Sequence, residues 1–267
     1  MIDVTPSAAD FLHRDVPALG RRVHRVGLAA TFGLDEAGIE AAFERGLEYV
    51  FWNPTARTLT RVLRRLPASK RDRLVLATGP TLGFLAGSVR RRVEQVLRLL
   101  RTDRIDVAQL FWLGRMSAYR DSIVAEMEKL RDEGKVRLIG ASIHDRVRAG
   151  ALAESGPLSL FMIRYNAAHP GAERDIFPHL ATRRPMVVAY TATSWRRLLT
   201  RPDGWQGPLP TPADCYRFCL TSEHIDVVLM GPRTVAELDE NLEGLRKGPL
   251  SEQEMHELRA FGRVVHG

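Results

Sequence analysis

The apolar pattern of this 267-residue chain changes period many times along its length. Short β-like runs are each followed by a stretch in which apolar residues recur at helical spacing. The β-like runs are Arg25–Ala29, Tyr49–Trp52, Leu74–Thr78, Ile105–Phe111, Arg137–Ser142, Leu160–Tyr165, Met186–Tyr190 and Ile225–Met230. The helical stretches are Asp35–Arg45, Thr58–Leu66, Ser88–Leu100, Ser117–Glu133, Arg146–Glu154, Glu173–Ala181, Ala213–Ser222 and Thr234–Leu245. Eight such pairs predict an α/β fold, a (β/α)8 TIM barrel that forms a single domain over residues 1–267.

The alternative fold for such a pattern is an open, doubly wound sheet, which would require a glycine-rich turn after its first strand. The turn here, Ala30–Leu34, has the sequence ATFGL and no G-x-G-x-x-G motif. Two segments lie outside the eight repeats: a long loop, Ser194–Pro212, after the seventh strand, and a C-terminal extra helix, Leu250–Val265. Ser251 followed by Glu254 predicts a capping box at the start of that helix. Because long loops at the C-terminal face of a barrel usually border the ligand site, we expect the site under Ser194–Pro212.

Composition narrows the class of protein. No apolar run is long enough to span a bilayer, and the N-terminus lacks the basic and apolar regions of a signal peptide, so we expect a cytoplasmic protein that does not associate with a membrane. The two cysteines, Cys215 and Cys219, are interpreted as small buried apolar residues, and no metal site is predicted. The net charge of +7 comes largely from arginines on helical patterns. These patterns indicate solvated helix faces and no nucleic-acid partner, although a basic protein would attract a phosphorylated cofactor.

Four stretches occur in an order that resembles one known family. They are Met127–Ser142 (MEKLRDEGKVRLIGAS), Leu99–Leu110, Ile163–Asn166 and Gly231–Leu242. Together they resemble the aldo-keto reductases over nearly the whole chain, from about Val26 to Leu258. The resemblance implies a barrel that binds NADP(H) and transfers a hydride to a carbonyl group. In the family a Tyr donates the proton, a Lys–Asp pair tunes that Tyr, and a His orients the substrate.

The positions of that catalytic tetrad hold other residues in this chain. Phe51 stands where the family has its Asp, Gly79 where it has its Lys, and Phe111 where it has its His. No tyrosine occurs between Tyr49 and Tyr119, so the family's proton donor is absent. We therefore expect an apolar aromatic cup at the barrel mouth, and because strand side chains alternate between faces, some of its members could instead pack in the core. The predicted substrate pocket comprises Phe51, Trp52, Asn53, Phe111 and Trp112.

The resemblance also implies a cofactor site that is preserved in part. Gly231, Arg233, Glu240 and Asn241 match the segment that contacts the cofactor phosphate and adenine, although the last two could be ordinary polar residues of a helix surface. Ser142 matches a residue that contacts the nicotinamide carboxamide. Tyr190 matches an aromatic residue that stacks on nicotinamide, and it could equally be a core aromatic. The family's Asn after Ser142 is replaced by Ile143, and its Gln in strand six by Met162.

Two residues at strand ends are candidates for replacement chemistry. His144 follows strand five and could act as an acid or base, or could simply cap the next helix. Arg164 ends strand six and could orient a carboxylate or phosphate, or could pair with Glu173 or Asp175. Three functions remain open for a small-molecule ligand. They are an NADP(H)-dependent carbonyl oxidoreductase with a non-standard active site, an inactive barrel that binds a nucleotide or apolar ligand, and a different reaction that uses His144 and Arg164 on an acidic substrate.

Overall fold

A computed structural model describes residues 11–78, 86–114 and 119–266 of the chain. Gly79 and the side chains of Phe111 and Trp112 lie outside this description, so the predictions made for those three positions stay predictions. Among the described residues, no helix is both long and apolar enough to cross a membrane.

A closed barrel of eight parallel strands forms the centre of the described structure, which confirms the predicted (β/α)8 fold. Its strands in chain order are β3 (Val26–Ala29), β4 (Tyr49–Phe51), β5 (Val75–Thr78), β6 (Ile105–Leu113), β7 (Val136–Ile143), β8 (Leu160–Arg164), β9 (Met186–Tyr190) and β10 (Val227–Met230). Strand β10 pairs with β3 as well as with β9, which closes the sheet on itself. Each of the eight predicted β-like runs corresponds to one barrel strand, with ends that differ by a few residues.

The α-helices of the described chain are Glu36–Glu44, Arg57–Arg65, Ala68–Arg71, Ala86–Leu100, Asp121–Asp132, Arg146–Ser155, Ala172–Asp175, Pro212–Thr221, Val235–Leu245 and Glu252–His266. The predicted helix Glu173–Ala181 is wrong in its extent. A single turn, Ala172–Asp175, is followed by a 3-10 turn, Phe177–His179, that contains Pro178. Proline has no backbone N–H to donate and its ring clashes with the preceding turn, so a continuous helix cannot pass through this position.

An N-terminal β-hairpin, which the sequence pattern did not predict, closes the N-terminal end of the barrel. Strand β1 (His13–Val16) pairs antiparallel with β2 (Arg21–His24). The side chains of Val16, Leu19 and Val23 from this hairpin join the apolar cluster inside the barrel. Arg137 of β7 donates a hydrogen bond to the Leu19 carbonyl, which fastens the hairpin to the barrel.

Two apolar layers are separated by the barrel wall. The inner layer includes Tyr49, Val107, Leu160 and Val188, whereas the outer layer lies between strands and helices. Because side chains alternate along a strand, every second residue of each strand faces the barrel axis. The last inward positions of β4, β7, β8 and β9 are consequently Phe51, Ser142, Arg164 and Tyr190.

The C-terminal helix, Glu252–His266, begins with the predicted capping box. The backbone N–H of Ser251 donates to the Glu254 carboxylate at 2.7 Å, and the N–H of Glu254 donates to the Ser251 hydroxyl at 3.2 Å. The long loop after β9 packs on this helix. Arg197 donates to the Val265 carbonyl at 2.8 Å, and the rings of Trp205 and Phe261 lie 5.0 Å apart in an edge-to-face contact. The loop is therefore held over one side of the C-terminal end of the barrel.

Candidate functional site at the barrel mouth

Four predicted site residues share the C-terminal mouth of the barrel. Ser142 is 2% exposed, whereas the side chains of Phe51, Arg164 and Tyr190 are half-buried. Phe51 and Tyr190 both pack against the apolar cluster of the barrel interior. The mouth therefore combines an apolar floor with one hydroxyl, one phenol and one cation.

Arg164 is the charged member of this group of four. Its Cα is the register partner of Tyr190 on the neighbouring strand, and its guanidinium carbon lies 5.3 Å from the centre of the Trp195 ring. The two predicted carboxylate partners are engaged elsewhere. Glu173 accepts from Arg259 at 2.6 Å, and Asp175 accepts from Arg146 at 2.9 Å. The alternative that Arg164 pairs with Glu173 or Asp175 is therefore wrong.

Tyr190 lies where burial and a positive charge act on it in opposite directions. Burial raises the pKa of its phenol above the ordinary value, and the nearby charge and hydrogen bond of Arg164 act against that rise. The phenol is consequently neutral near pH 7 and is held beside the guanidinium. A planar ring, a hydroxyl and a fixed cation are thus adjacent at the mouth.

His169 lies within the electrostatic reach of the same guanidinium. Burial is the largest cause that lowers the pKa of the imidazole, and the charge of Arg164 is the next. Together with smaller contributions they lower this pKa to about 4. The imidazole also lies 3.1 Å from the Asn166 side-chain oxygen, and the Asn166 amide donates to the Thr191 carbonyl at 2.7 Å. His169 is therefore neutral near pH 7, and Asn166 connects the segments that follow β8 and β9.

The segment after β9 has an unusual backbone. Four non-glycine residues within six positions have left-handed φ angles: Thr191 at 56°, Ser194 at 49°, Trp195 at 51° and Arg196 at 71°. Such conformations cost free energy for residues with a Cβ and are often found at ligand sites. Ser194 is 1% exposed, and its hydroxyl has no hydrogen-bond partner among the described residues. Trp195, in contrast, is 62% exposed beside Arg164.

Trp52 and Asn53 do not extend the predicted aromatic cup. Trp52 is 1% exposed in the outer apolar layer, and its indole N–H donates to the Thr60 hydroxyl at 2.8 Å. It faces the helices because it is the neighbour of the inward-facing Phe51 on an alternating strand. The Asn53 carboxamide accepts the backbone N–H of Thr55 at 2.9 Å and so stabilises the turn that follows. Of the cup residues with described side chains, Phe51 alone lies at the mouth.

His144 has different surroundings from Arg164. It lines a groove of about 500 Å³ with Gly114, Arg146, Arg174 and Asp175 among its other walls. The two arginines both bond to Asp175, whose pKa they lower to about 2. Asp145, next to His144, accepts the Arg148 N–H at 3.0 Å and caps the helix Arg146–Ser155. The charges of this groove are thus largely compensated within the protein.

The predicted phosphate-binding segment leads from β10 into the helix Val235–Leu245. Arg233 is exposed at the start of this helix, and the Phe32 ring lies against Gly231, where an added Cβ would be 2.3 Å from the ring. The Arg233 N–H donates to the Glu237 carboxylate at 2.8 Å. Glu240 is exposed, whereas Asn241 is 8% exposed on the buried side of the helix. Gly231, Arg233 and Glu240 accordingly border solvent, and Asn241 faces the barrel.

Sequence reasoning missed two polar residues at or below the mouth: Ser194, in the strained segment, and Gln109 of β6. Gln109 is fully buried, and neither atom of its amide has a hydrogen-bond partner among the described residues. A polar residue in the apolar run Ile105–Phe111, at the position that alternates onto the same face as Val107, was a signal that could have identified Gln109. Within the described chain no group of three or more His, Cys, Asp or Glu side chains could hold a metal ion.

Comparisons with known proteins agree with the barrel fold. The model of the aldo/keto reductase family matches residues 52–199. Aldo-keto reductase YhdN of Bacillus subtilis (strain 168) is 27% identical over 140 residues, which cover 49% of this chain and 42% of that protein. The aligned part thus spans less than half of the relative's length.

Solved structures show the same fold at low sequence identity. The holo form of aldo-keto reductase AKR11C1 from Bacillus halodurans superposes with a TM-score of 0.79 and 19% identity, covering 93% of this chain and 95% of that chain. Glycerol dehydrogenase AKR11B4 from Gluconobacter oxydans gives a TM-score of 0.75 and 19% identity, covering 96% and 97%. With a family match that extends over more than half of its length, this chain belongs to the aldo/keto reductase family.

Proposed function

We propose that this protein is an NADP(H)-dependent oxidoreductase that reduces a small carbonyl compound at the barrel mouth, where the Arg164 guanidinium stabilises the negative charge that develops on the carbonyl oxygen. The observation that carries the proposal is the environment of Arg164. Its guanidinium faces the axis beside Tyr190 and Trp195 and forms no ion pair with a described carboxylate. A cation held without a counter-charge in a half-buried aromatic site attracts an anionic or partly negative ligand atom.

The chemistry of carbonyl reduction explains why a guanidinium could serve there. As a hydride reaches the carbonyl carbon, the π bond breaks and negative charge develops on the oxygen. A fixed cation stabilises that oxygen, and removal of such a donor typically costs about 100- to 1,000-fold in rate. NADPH, when bound, supplies the hydride with its two electrons. Because arginine does not release its proton near neutral pH, the proton that completes the alcohol comes from water at the open mouth.

The residues at the mouth fit a nicotinamide cofactor in three respects. The half-buried Tyr190 ring offers a surface on which a nicotinamide can stack. The Ser194 hydroxyl, which has no partner among the described residues, can donate to a ligand oxygen, and the exposed Arg233 can pair with a phosphate. The carboxylate of Glu237 already accepts the Arg233 N–H. A phosphate at this helix start would therefore be held by the Arg233 side chain rather than by that amide.

Trp195 gives a direct optical test of cofactor binding. It is exposed beside Arg164, whereas Trp52 is buried among the helices. Titration with NADPH should quench tryptophan fluorescence in a saturable way, and Trp195→Phe should reduce that response without weakening binding measured by calorimetry. Absence of saturable NADPH binding in the unmodified protein would contradict the proposal at its first step.

Turnover is tested with a panel of small aldehydes and ketones by following the loss of NADPH absorbance. Arg164→Met should lower kcat/KM by about 100-fold or more, because the developing oxyanion loses its cation. Arg164→Lys retains a charge and should recover part of the rate. Tyr190→Phe keeps the ring at the mouth and removes only the phenol's hydrogen bond to Arg164, so it should lower kcat/KM less than Arg164→Met does. Equal rates for Arg164→Met and the unmodified protein would exclude the assigned role of Arg164.

A second candidate function is a non-catalytic ligand-binding barrel. The inward position of Phe51, where the family has an acid, favours this alternative because a large apolar ring lies beside the site where charge would develop. The two functions are separated by a single pair of measurements. Saturable NADPH binding with no NADPH oxidation across the carbonyl panel would replace the first function by the second.

A further inference from the structure

A cavity of about 790 Å³ lies on the flank of the barrel, outside the wall of strands and between the helices Arg57–Arg65 and Ala86–Leu100. We call it the flank cavity. Its volume falls in the range of small-molecule sites in proteins, about 300–1,000 Å³. Because its lining includes the exposed Arg98 and Arg101, it opens to solvent at the surface. Its walls are formed by leucines: Leu63, Leu66, Leu74, Leu76, Leu97 and Leu100.

Asp106, near the start of β6, is a buried acid on the wall of this cavity. It is 7% exposed, and its Oδ2 accepts the Leu76 N–H of the neighbouring strand at 2.9 Å. Its Oδ1 accepts no hydrogen bond from a described residue and is not enclosed by protein atoms. Burial raises the pKa of this carboxyl, while the Leu76 N–H and the charge of Arg104 act against that rise. The carboxylate therefore keeps an accessible acceptor, and a positive ligand group there would stabilise its charge.

Arg104 places a guanidinium beside that acceptor. Its Nε lies 3.9 Å from Asp106 Oδ1, and its Nη2 lies 3.7 Å from Asp72 Oδ1. Both separations exceed those of hydrogen bonds, about 2.7–3.2 Å, and the guanidinium donates to no described residue. The Arg104 side chain is half-exposed on the lining of the same cavity. The N–H donors of a fixed cation thus remain available to a ligand.

Asp226 provides a comparison within the same barrel. It stands just before β10 and accepts the Val187 N–H of the neighbouring strand at 2.7 Å, as Asp106 accepts that of Leu76. Arg14 Nε lies 3.3 Å from its second oxygen. An acid that bridges two strands in this way can therefore be paired closely with an arginine. The longer separation at Asp106 leaves unused hydrogen-bonding groups on both partners, and both border the flank cavity.

The flank cavity thus combines one accessible acceptor, one accessible set of donors and apolar walls. An ammonium group suits Asp106 and is repelled by Arg104, whereas a carboxylate suits Arg104 and is repelled by Asp106. A ligand that carries both groups satisfies both residues and brings no net charge into the cavity. An α-amino acid with an apolar side chain has these two groups and an apolar part for the leucine walls.

We propose that the flank cavity binds a free α-amino acid with an apolar side chain, with the ammonium group at Asp106 and the carboxylate at Arg104. The side chain of the ligand packs among the leucines of the walls, where burial of its apolar surface stabilises the complex. The site lies outside the barrel wall. The inference is therefore independent of the function proposed for the mouth, and its test requires no turnover.

Leucine and two analogues test the assignment by calorimetry on the unmodified protein. Isocaproic acid has the same apolar chain without the ammonium group, and isoamylamine has it without the carboxylate. Leucine should bind in a saturable way, and each analogue should bind about 10- to 100-fold more weakly because one charged group of the site is left unpaired. An analogue that binds as tightly as leucine would overturn the zwitterion assignment, and absence of saturable leucine binding would overturn the site itself.

Two substitutions distinguish loss of a binding group from loss of structure. Asp106→Asn retains an acceptor for the Leu76 N–H and removes the charge, so leucine should bind about 10-fold or more weakly. Isocaproic acid should bind this variant no more weakly than before, because the repulsion of its carboxylate is removed. Arg104→Gln should weaken leucine by a similar factor and should not weaken isoamylamine. Damage to the fold would weaken all three ligands alike.

Asp226→Asn is the matched control for the acid. It makes the same change at the corresponding bond between strands and leaves the flank cavity intact, so leucine affinity should stay unchanged. Equal leucine affinities for the unmodified protein, Asp106→Asn and Arg104→Gln would overturn the inference and assign the cavity to water only.

Discussion

The charged side chains at the two ends of the barrel differ in the partners that they have. At the N-terminal end, Arg25 is 7% exposed and donates to the backbone carbonyls of Phe11 at 3.2 Å, Leu220 at 2.8 Å and Ile225 at 2.7 Å. Asp226, 5% exposed, accepts the Val187 N–H at 2.7 Å and lies 3.3 Å from Arg14. At the C-terminal mouth, Arg164 contacts aromatic groups and pairs with no described carboxylate.

Left-handed φ angles at non-glycine residues are concentrated at the mouth, although Arg101 at 54° and Arg184 at 48° also adopt them in the turns that lead into β6 and β9. The hairpin turn at the N-terminal end needs a left-handed residue and has Gly20 there, at a φ of 59°. At the mouth, Thr191, Ser194, Trp195 and Arg196 adopt similar angles although each has a Cβ. Glycine meets this requirement without steric cost, so four non-glycine residues in a short segment indicate strain that the surrounding contacts hold in place.

From this difference we infer that the hairpin end serves stability and that the mouth serves binding. A stable fold favours paired charges and relaxed turns, as in the N-terminal hairpin. A run of strained backbone is often found where a ligand binds, and in this fold active sites lie at the C-terminal face. We expect substitutions at the hairpin end to change the free energy of unfolding and substitutions at the mouth to change binding.

The largest expected difference is between Arg25→Met and Arg164→Met. Removal of the Arg25 guanidinium leaves several buried carbonyls without donors and should lower the free energy of unfolding by about 3–5 kcal/mol. Arg164→Met removes a cation that has no described carboxylate partner and should change that free energy by less than about 1 kcal/mol. Urea unfolding followed by circular dichroism measures both variants. Similar losses for the two variants would remove the distinction between the ends.

A pH titration tests the buried imidazole at the hairpin end. His24 is 5% exposed, and its Nδ1 accepts the Val26 N–H at 3.0 Å. Burial, followed by the neighbouring His13, lowers its pKa from 6.5 to about 4. The unfolded chain therefore binds a proton near pH 6.5 that the folded protein does not accept until about pH 4. This contribution to stability is complete above pH 6.5 and is lost as the pH falls to about 4.

The expected loss through that window is about 3 kcal/mol, because a tenfold difference in proton affinity between the folded and unfolded states corresponds to about 1.4 kcal/mol. His24→Asn retains an acceptor for the Val26 N–H and removes the titration, so its stability should depend less on pH across the same window. Urea unfolding at several pH values gives the slope for each protein. Parallel slopes for the variant and the unmodified protein would show that other groups cause the loss.

Much of the fold could be predicted because its signals are local and repeated. Each barrel strand is a short apolar run and each major helix an amphipathic stretch, so the alternation survives small errors at the ends. The N-terminal hairpin lacked such a signal. Its strands carry charged residues between the few apolar ones, as in His13–Val16, and contacts with distant parts of the chain stabilise it, among them the docking of Val16, Leu19 and Val23 into the barrel.

The candidate site was less accessible to sequence reasoning. Strand alternation correctly warned that some members of the aromatic cup would face the core, and Trp52 does. The engagement of Glu173 and Asp175 with other arginines depends on distant parts of the chain and has no sequence signal. The same holds for the strained segment after β9, because backbone strain at non-glycine residues arises only from the surrounding packing.

The smallest expected effect compares the two kinds of left-handed residue directly. Arg196, with a φ of 71°, can be replaced by glycine, which adopts this angle without a Cβ clash. Relief of the clash should exceed the extra chain entropy of glycine in the unfolded state, so Arg196→Gly should raise the free energy of unfolding by about 0.5–1 kcal/mol. Gly20→Ala imposes a similar angle on a residue with a Cβ. This variant should lower the free energy of unfolding by about 1 kcal/mol or more. Urea unfolding measures the change in the free energy of unfolding for each variant. Changes of opposite sign would locate the strain at the mouth. A lower free energy of unfolding for both variants would mean that the segment after β9 is relaxed and that its angles do not oppose folding.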